Sequence, residues 1–339
     1  MQETSTNDIK KIFTKLGIGY TIFLIAYVGL ATFVSRAPFF AGLNESANSW
    51  VTYLLHMIPL WAIAFPIGLI LILKLPKQVP EQHEMNVTDL LKFYVSLTFI
   101  MIVLNLVGNG LSFLIGALAG KKLSNSTIEM ILGQEFLPTF VFAVLFGPIM
   151  EELAFRKVLL DRTAQYSKRY SIILSGVMFG LIHLNLYQFF YAAAIGCVFA
   201  YIYIKTGKVR YTIILHSVVN FVHGALPIAL LKKLDLDSIS NLTEGYDPTN
   251  PETIEKVLKI YSNPAFVAYM FYAMIILVIV IFGIVMIITE RKKLHIDDTM
   301  SPLQKPEGAK TVFLNAGILL YIICTIAVGI FEIILQLKA

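Results

Sequence analysis

Runs of apolar residues long enough, or nearly long enough, to cross a bilayer recur along this chain. They lie near 16–34, 51–73, 93–118, 136–160, 171–186, 187–204, 211–231, 265–289 and 311–337. A spanning helix takes about 20 residues. Within hydrocarbon it must pair its own backbone N–H and C=O groups, which leaves the helix or a closed barrel. Runs of this length and continuity predict helices. The expected fold is all-α, a polytopic transmembrane helical bundle with eight or nine spans. The count stays open because the fifth and sixth runs are short and share a polar hinge at 185–188. The third run contains Asn105, Gly108, Asn109, Gly110 and Gly116, so its helix is expected to bend or break there.

Composition bears on what else the chain could be. Only 14% of residues are charged, against about 25% in soluble domains. That argues against a soluble globular protein and excludes a disordered chain. Cys197 and Cys324 both lie in apolar runs and read as small buried hydrophobes, not as a disulfide framework. There is no Walker glycine loop, no dinucleotide fingerprint and no aromatic-basic surface for nucleic acid. The expected partners are the lipid bilayer and a membrane-associated substrate.

Charge also predicts orientation. Lys10, Lys11 and Lys15 precede the first run as in a signal sequence. That run is long for a signal and reads as an uncleaved span. If the N-terminus is cytoplasmic, the inner segments 1–15, 74–92, 156–170, 205–210 and 290–310 hold 19 of the 27 Lys and Arg residues. This is the positive-inside bias. The loop 232–263 carries six acids and four bases around Pro248 and Pro251. It is expected outside, with a short amphipathic helix near 251–261. Pro59, Pro66, Pro138, Pro148 and Pro227 are expected to kink helices.

Only three acids, Glu151, Glu152 and Glu332, fall inside apolar runs. An ionisable side chain there costs at least a few kcal/mol and needs a partner or a polar cavity. Glu332, near the C-terminal end of the last run, is expected to reach the interface. Glu151 and Glu152 are adjacent and point about 100° apart on a helix. Glu152 and Arg156 are spaced i,i+4 and share a face, which leaves Glu151 free to face elsewhere. His183 follows Phe179 by one turn, beside a GxxxG of Gly176 and Gly180 that would admit a close neighbour. His216, Asn220 and His223 form one polar stripe at i, i+4 and i+7. At about 1.5 Å per residue, Glu151, His183 and His216 lie roughly 14, 18 and 8 Å from the lysine-rich ends of their runs. They could share an intramembrane cavity, with the scissile bond entering from the cytoplasmic half. A glutamate that takes a proton from water, with histidines and an asparagine as donors or ligands, points to hydrolysis. A peptide bond is the first carbonyl substrate to consider.

Glu151-Glu152-x-x-x-Arg156, Phe179-x-x-x-His183 and His216-x-x-x-Asn220 occur in this order on separate apolar runs. Together they resemble the three-motif signature of the CAAX prenyl protease and bacteriocin-processing family of intramembrane endopeptidases (CPBP or Abi). The resemblance covers about residues 90–231, and no motif position departs from it. It implies Glu151 as the water-activating base, assisted by His183. It implies His216 and Asn220 on the oxyanion side, with Glu152 and Arg156 in support. Glu151, His183 and His216 also have the donor types of a zinc site, without HExxH on one helix. Zinc assistance and a glutamate-activated water acting alone both stay open. Short loops and lysine over arginine point to the bacterial branch, in the bacterial cytoplasmic membrane, where a prenylated substrate is not expected. The chain then divides into two N-terminal spans (1–90), a catalytic core (91–231), an outer loop (232–264) and two C-terminal spans (265–339).

Blander readings stand beside these. The acidic pair and Arg156 could be a structural ion-pair cluster. The histidines and Asn220 could be helix–helix contacts, and His223 reads as structural or pocket-lining. The alternative functions are a non-catalytic membrane scaffold or immunity protein, or a transporter whose buried ionisable residues line a pathway.

Overall fold

The computed structural model of the protein describes residues 5–44, 48–234, 250–290, 295–299, 301–303 and 307–338. Among these, helices and their connections make up the whole fold. Eight helices are long and apolar enough to cross a membrane. They are α1 (Thr6–Arg36), α2 (Ser49–Ile72), α3 (Val87–Leu118), α5 (Phe136–Thr163), α7 (Leu186–Thr206), α8 (Val209–Leu231), α10 (Pro264–Glu290) and α12 (Ala316–Lys338). Shorter ones are α4 (Ser126–Gly133), α6 (Lys168–Leu181), α9 (Pro251–Tyr261) and α11 (Glu307–Phe313). The amphipathic helix expected near 251–261 is α9. Most of the loop expected outside, 235–249, lies beyond the described residues.

The fifth apolar run supplies the undecided span. It becomes α6, only 14 residues or about 21 Å, against a hydrocarbon layer of about 30 Å. The chain turns at His183–Asn185 and returns as α7. Small residues let α6 and α7 approach closely. A Cβ added to Gly176 would fall 2.3 Å from Cys197 Sγ and 2.6 Å from the Ala193 carbonyl oxygen. The GxxxG therefore serves the α6–α7 contact.

The third run is continuous, contrary to the expected break. α3 holds 32 residues in one α-helix. Its glycine at 108 instead lets the α6–α7 turn come near: a Cβ there would lie 2.6 Å from Leu186 O. Asn109 satisfies itself by donating to Asn105 O and Oδ1.

Prolines widen three of the helices. Wide π turns occupy Ile58–Ala64, Phe140–Phe146 and Phe221–Ala225. Each is closed by an i→i−5 hydrogen bond from the residue just before a proline: Phe65 to Leu60, Gly147 to Phe142 and Leu226 to Phe221. A proline ring collides with the carbonyl four residues back and has no N–H to offer. Widening the preceding turn relieves that collision. A fourth wide turn, Leu153–Val158, contains no proline and carries Arg156.

Two apolar clusters hold the bundle together. One joins α1, α2, α5, α6 and α12 around Tyr20, Phe23, Phe155, Phe179 and Tyr321. The other joins α3, α7 and α8 around Leu97, Phe199 and Leu215. By contrast α10 exposes Leu277, Ile281 and Phe282, the pattern of a helix facing lipid.

At the lysine-rich end the α2–α3 connection is strapped across α5, α7 and α8. Gln78 N–H donates to Asp161 O at 2.7 Å, His83 N–H to Thr206 O at 2.9 Å and Met85 N–H to Tyr211 Oη at 3.0 Å. Glu84 is clasped by Lys208, Arg210 and Tyr211. Those three hydrogen bonds hold its carboxyl down at about 2.

Candidate active site

The Glu152–Arg156 pair forms at the seam between the two clusters. Both side chains are fully buried. Arg156 Nη2 donates to Glu152 Oε1 at 2.9 Å. Nε stands 2.9 Å from Oε2 as an ion contact without hydrogen-bond alignment. Nη1 reaches Ser175 Oγ at 3.2 Å, and that hydroxyl donates to Phe155 O. The guanidinium lies over Phe179 of one cluster (4.6 Å) and beside Phe199 of the other (5.6 Å). A charge in such a place is tolerated because it is paired, hydrogen-bonded and stacked.

Glu152 then fixes a histidine from another helix. His216 on α8 places Nδ1 3.0 Å from Glu152 Oε1. A carboxylate only accepts, so Nδ1 carries the proton, as assigned from the hydrogen-bond network. The other nitrogen, Nε2, stands 3.5 Å from Glu151 Oε2. Glu151 has no Arg156 to bind it and is 25% exposed, while Glu152 is 0% exposed. Adjacent carboxylates thus differ: one orients a histidine and the other faces open space.

His183 lies in the turn just after α6 ends at Leu181. Its Nδ1 bonds to Phe179 O at 2.8 Å, leaving Nε2 free. Phe179 stands edge-on to both histidines, 5.0 Å from the His183 ring and 5.7 Å from the His216 ring. The next residue, Leu184, has φ +58°, an unfavourable backbone for a non-glycine side chain. Asn185 holds this turn by donating to His183 O (2.9 Å) and to Gln188 Oε1 (2.8 Å).

Asn220 has a structural contact beside the role the resemblance implies. Its Nδ2 donates to Ala143 O at 2.9 Å. Pro148 has no N–H for that carbonyl within the wide turn, so Asn220 supplies the missing donor from α8. One amide hydrogen is thereby committed to holding α8 against α5. His223 lies apart from the acidic pair, stacked on Tyr94 with Nε2 3.2 Å from Thr98 Oγ1.

The three zinc-type donors have suitable partners, since each histidine has its Nδ1 bonded and its Nε2 free. Among the described residues, however, no three His, Cys, Asp or Glu side chains converge as a metal site. Glu151, His183 and His216 thus have the chemistry for zinc but, in this arrangement, no common point.

Three contributors escape a reading of motifs. Ser175 supports Arg156 from α6. Asp298, from the segment 295–299, accepts from Ser167 Oγ at 2.6 Å and from Lys168 N–H at 2.8 Å at the start of α6. Partial burial opposes its ionisation. The hydrogen bonds from Ser167, Ser301 and the α6 amides outweigh that and hold its carboxyl below the usual aspartate value. The third is Glu332. Instead of only meeting the interface, it lines a cavity of about 270 Å³ that also reaches His183. This cavity lies among the C-terminal halves of α1 and α12, at the end of the bundle opposite the lysine-rich strap. The sequence expectation placed substrate access at the strap end.

Residues 133–222 match the family described as Type II CAAX prenyl endopeptidase Rce1-like. That stretch holds all seven motif residues. A curated relative in Bacillus subtilis (strain 168), "Putative membrane peptidase YdiL", is 24% identical over 176 residues, covering 49% of this chain and 71% of its own. No solved structure matches significantly. Over this motif-bearing core, the chain is thus similar to the Rce1-like CAAX protease (CPBP or Abi) family.

Proposed function

We propose that the protein is an intramembrane endopeptidase that hydrolyses a peptide bond of a membrane-associated peptide or protein. The observation that carries this reading is the relay from Glu152 through His216 to Glu151. A fully buried carboxylate orients the imidazole, whose free Nε2 stands 3.5 Å from a second carboxylate that is partly open.

In this reading Glu151 takes a proton from a water held between its carboxylate and His183. The water oxygen attacks the peptide carbonyl and a tetrahedral oxyanion forms. His216, protonated at Nε2 as well as Nδ1 between the two carboxylates, and the uncommitted amide hydrogen of Asn220 would donate to the oxyanion. Glu151 returns the proton to the leaving amine as the C–N bond breaks. Glu152 and Arg156 touch no substrate and act by holding His216 in place. Zinc, if bound by Glu151, His183 and His216, would polarise the carbonyl and acidify the water. The bacterial cytoplasmic membrane, with the strap end facing the cytoplasm, is the proposed setting.

The test is cleavage of a library of membrane-associated peptides in proteoliposomes, with and without chelator. Wild type is compared with Glu151→Gln and His183→Ala variants of unchanged melting temperature. Removing a general base costs about 10²–10⁴-fold, so both variants should fall by at least about 100-fold. Undiminished cleavage in both would refute the assignment. Activity lost with chelator and restored by zinc would establish metal dependence.

A further inference from the structure

The cavity that reaches His183 is polar for a space between membrane spans. Its walls include Ser112, Ser124, Thr127, Asn185 and Gln336. Glu332 joins them as the one acid of α12. A carboxylate in such a helix is costly unless it meets a cation or a polar cavity. Among the described residues no Lys, Arg or His forms an ion pair with Glu332. The Glu332 carboxyl therefore lines this cavity without a cationic partner among the described residues.

Geometry ties that carboxyl to the candidate site. α12 meets the strained turn after His183 at Gly329, where an added Cβ would lie 3.2 Å from Leu184 O. Glu332 follows three residues later, about 4.5 Å further along the helix axis. It thus flanks the cavity roughly one turn outward from the level of the His183 turn. Hydroxyl and amide groups on the remaining walls suit the backbone of an extended peptide.

We propose that this cavity is the peptide-binding groove and that Glu332 selects substrates bearing a basic residue. An extended peptide advances about 3.3 Å per residue, so the lysine or arginine falls within about three residues of the scissile bond. The proposal deepens the endopeptidase reading and relies on it only for placing a scissile bond at His183. Binding itself is readable without turnover.

The experiment uses the full-length protein in detergent micelles, with fluorescein-labelled apolar nonapeptides. Each peptide carries one lysine at a successive position and is paired with its glutamine counterpart. N-acetylated and free forms separate a side-chain ammonium from a terminal one. Fluorescence anisotropy should show at least one lysine register binding about tenfold tighter than its glutamine partner. Glu332→Gln should abolish that preference, and Glu332→Lys should transfer it to glutamate-bearing peptides. Equal binding of lysine and glutamine peptides to wild type overturns the proposal, as does a preference that survives Glu332→Gln. The two readings fail separately. If Glu151→Gln cuts like wild type but the lysine preference is intact, the assigned chemistry falls and the groove stands. If Glu151→Gln is inactive and no preference exists, the groove falls and the chemistry stands.

Discussion

Removing Arg156 should be far more damaging than its sequence position suggests, and removing its partner as well should restore much of the loss. Both side chains are 0% exposed. Arg156→Met leaves Glu152 as a buried carboxylate whose remaining side-chain partners, His216 and Thr212, include no permanent cation. Breaking a fully buried pair costs about 3–5 kcal/mol, because one charge is left unpaired. The stacked contacts with Phe179 and Phe199 add about 1 kcal/mol to the arginine side. Glu152→Gln should cost a similar 3–5 kcal/mol by stranding the guanidinium. In the double variant no unpaired charge remains, and such replacements are often near neutral. The expected cost there is about 1–3 kcal/mol, so the cycle should report a coupling of about 3 kcal/mol or more. Chemical unfolding in mixed micelles gives the four free energies. Costs that simply add, or an Arg156→Met variant as stable as wild type, would refute a paired buried charge at this seam.

Asn220→Ala should destabilise the protein by about 1 kcal/mol, the cost of removing the donor from a part-buried carbonyl; an unchanged unfolding free energy would mean Ala143 O finds another donor. Gly176→Val should separate α6 from α7 and prevent recovery of folded protein from membranes, since even a Cβ would stand 2.6 Å from a backbone carbonyl; normal yield and melting would contradict the close approach. The Glu84 clasp predicts a pH dependence of definite sign. Its folded value is depressed to about 2 from an ordinary 4.5, so the stabilisation is complete above pH 4.5 and lost as pH falls towards 2. The melting-temperature difference between wild type and Glu84→Gln should therefore shrink over that interval, and a constant difference would show the clasp absent in solution.

The class of fold was legible because long apolar runs have few solutions in a bilayer. The Glu152–Arg156 pair was legible too, since i,i+4 spacing on a helix is purely local. What failed were features set by distant partners. The glycines of α3 looked like a break, but Gly108 answers the α6–α7 turn brought against it. For Asn220 the unforeseen part is the second use of its amide, on a carbonyl freed by Pro148 far away in sequence. Glu332 looked peripheral because its relation to His183 exists only once α12 packs beside the α6–α7 turn. The length of α6 was partly readable: Ser167 and Asn185 are the N-caps of α6 and α7, residue types that mark helix starts.

The wide turn at Phe140–Phe146 has a bearing on how such a site can change over time. It is equivalent to one residue inserted into α5, with the excess absorbed locally. Deleting a residue there would restore regular winding but rotate everything beyond it by about 100° relative to the first half. Glu151 would then be carried off the face that meets His216. The N-terminal and C-terminal halves of α5 are thus phased independently. Substitutions that suit the N-terminal half to a different neighbour can accumulate without re-aiming the carboxylates, whereas a single change of length cannot.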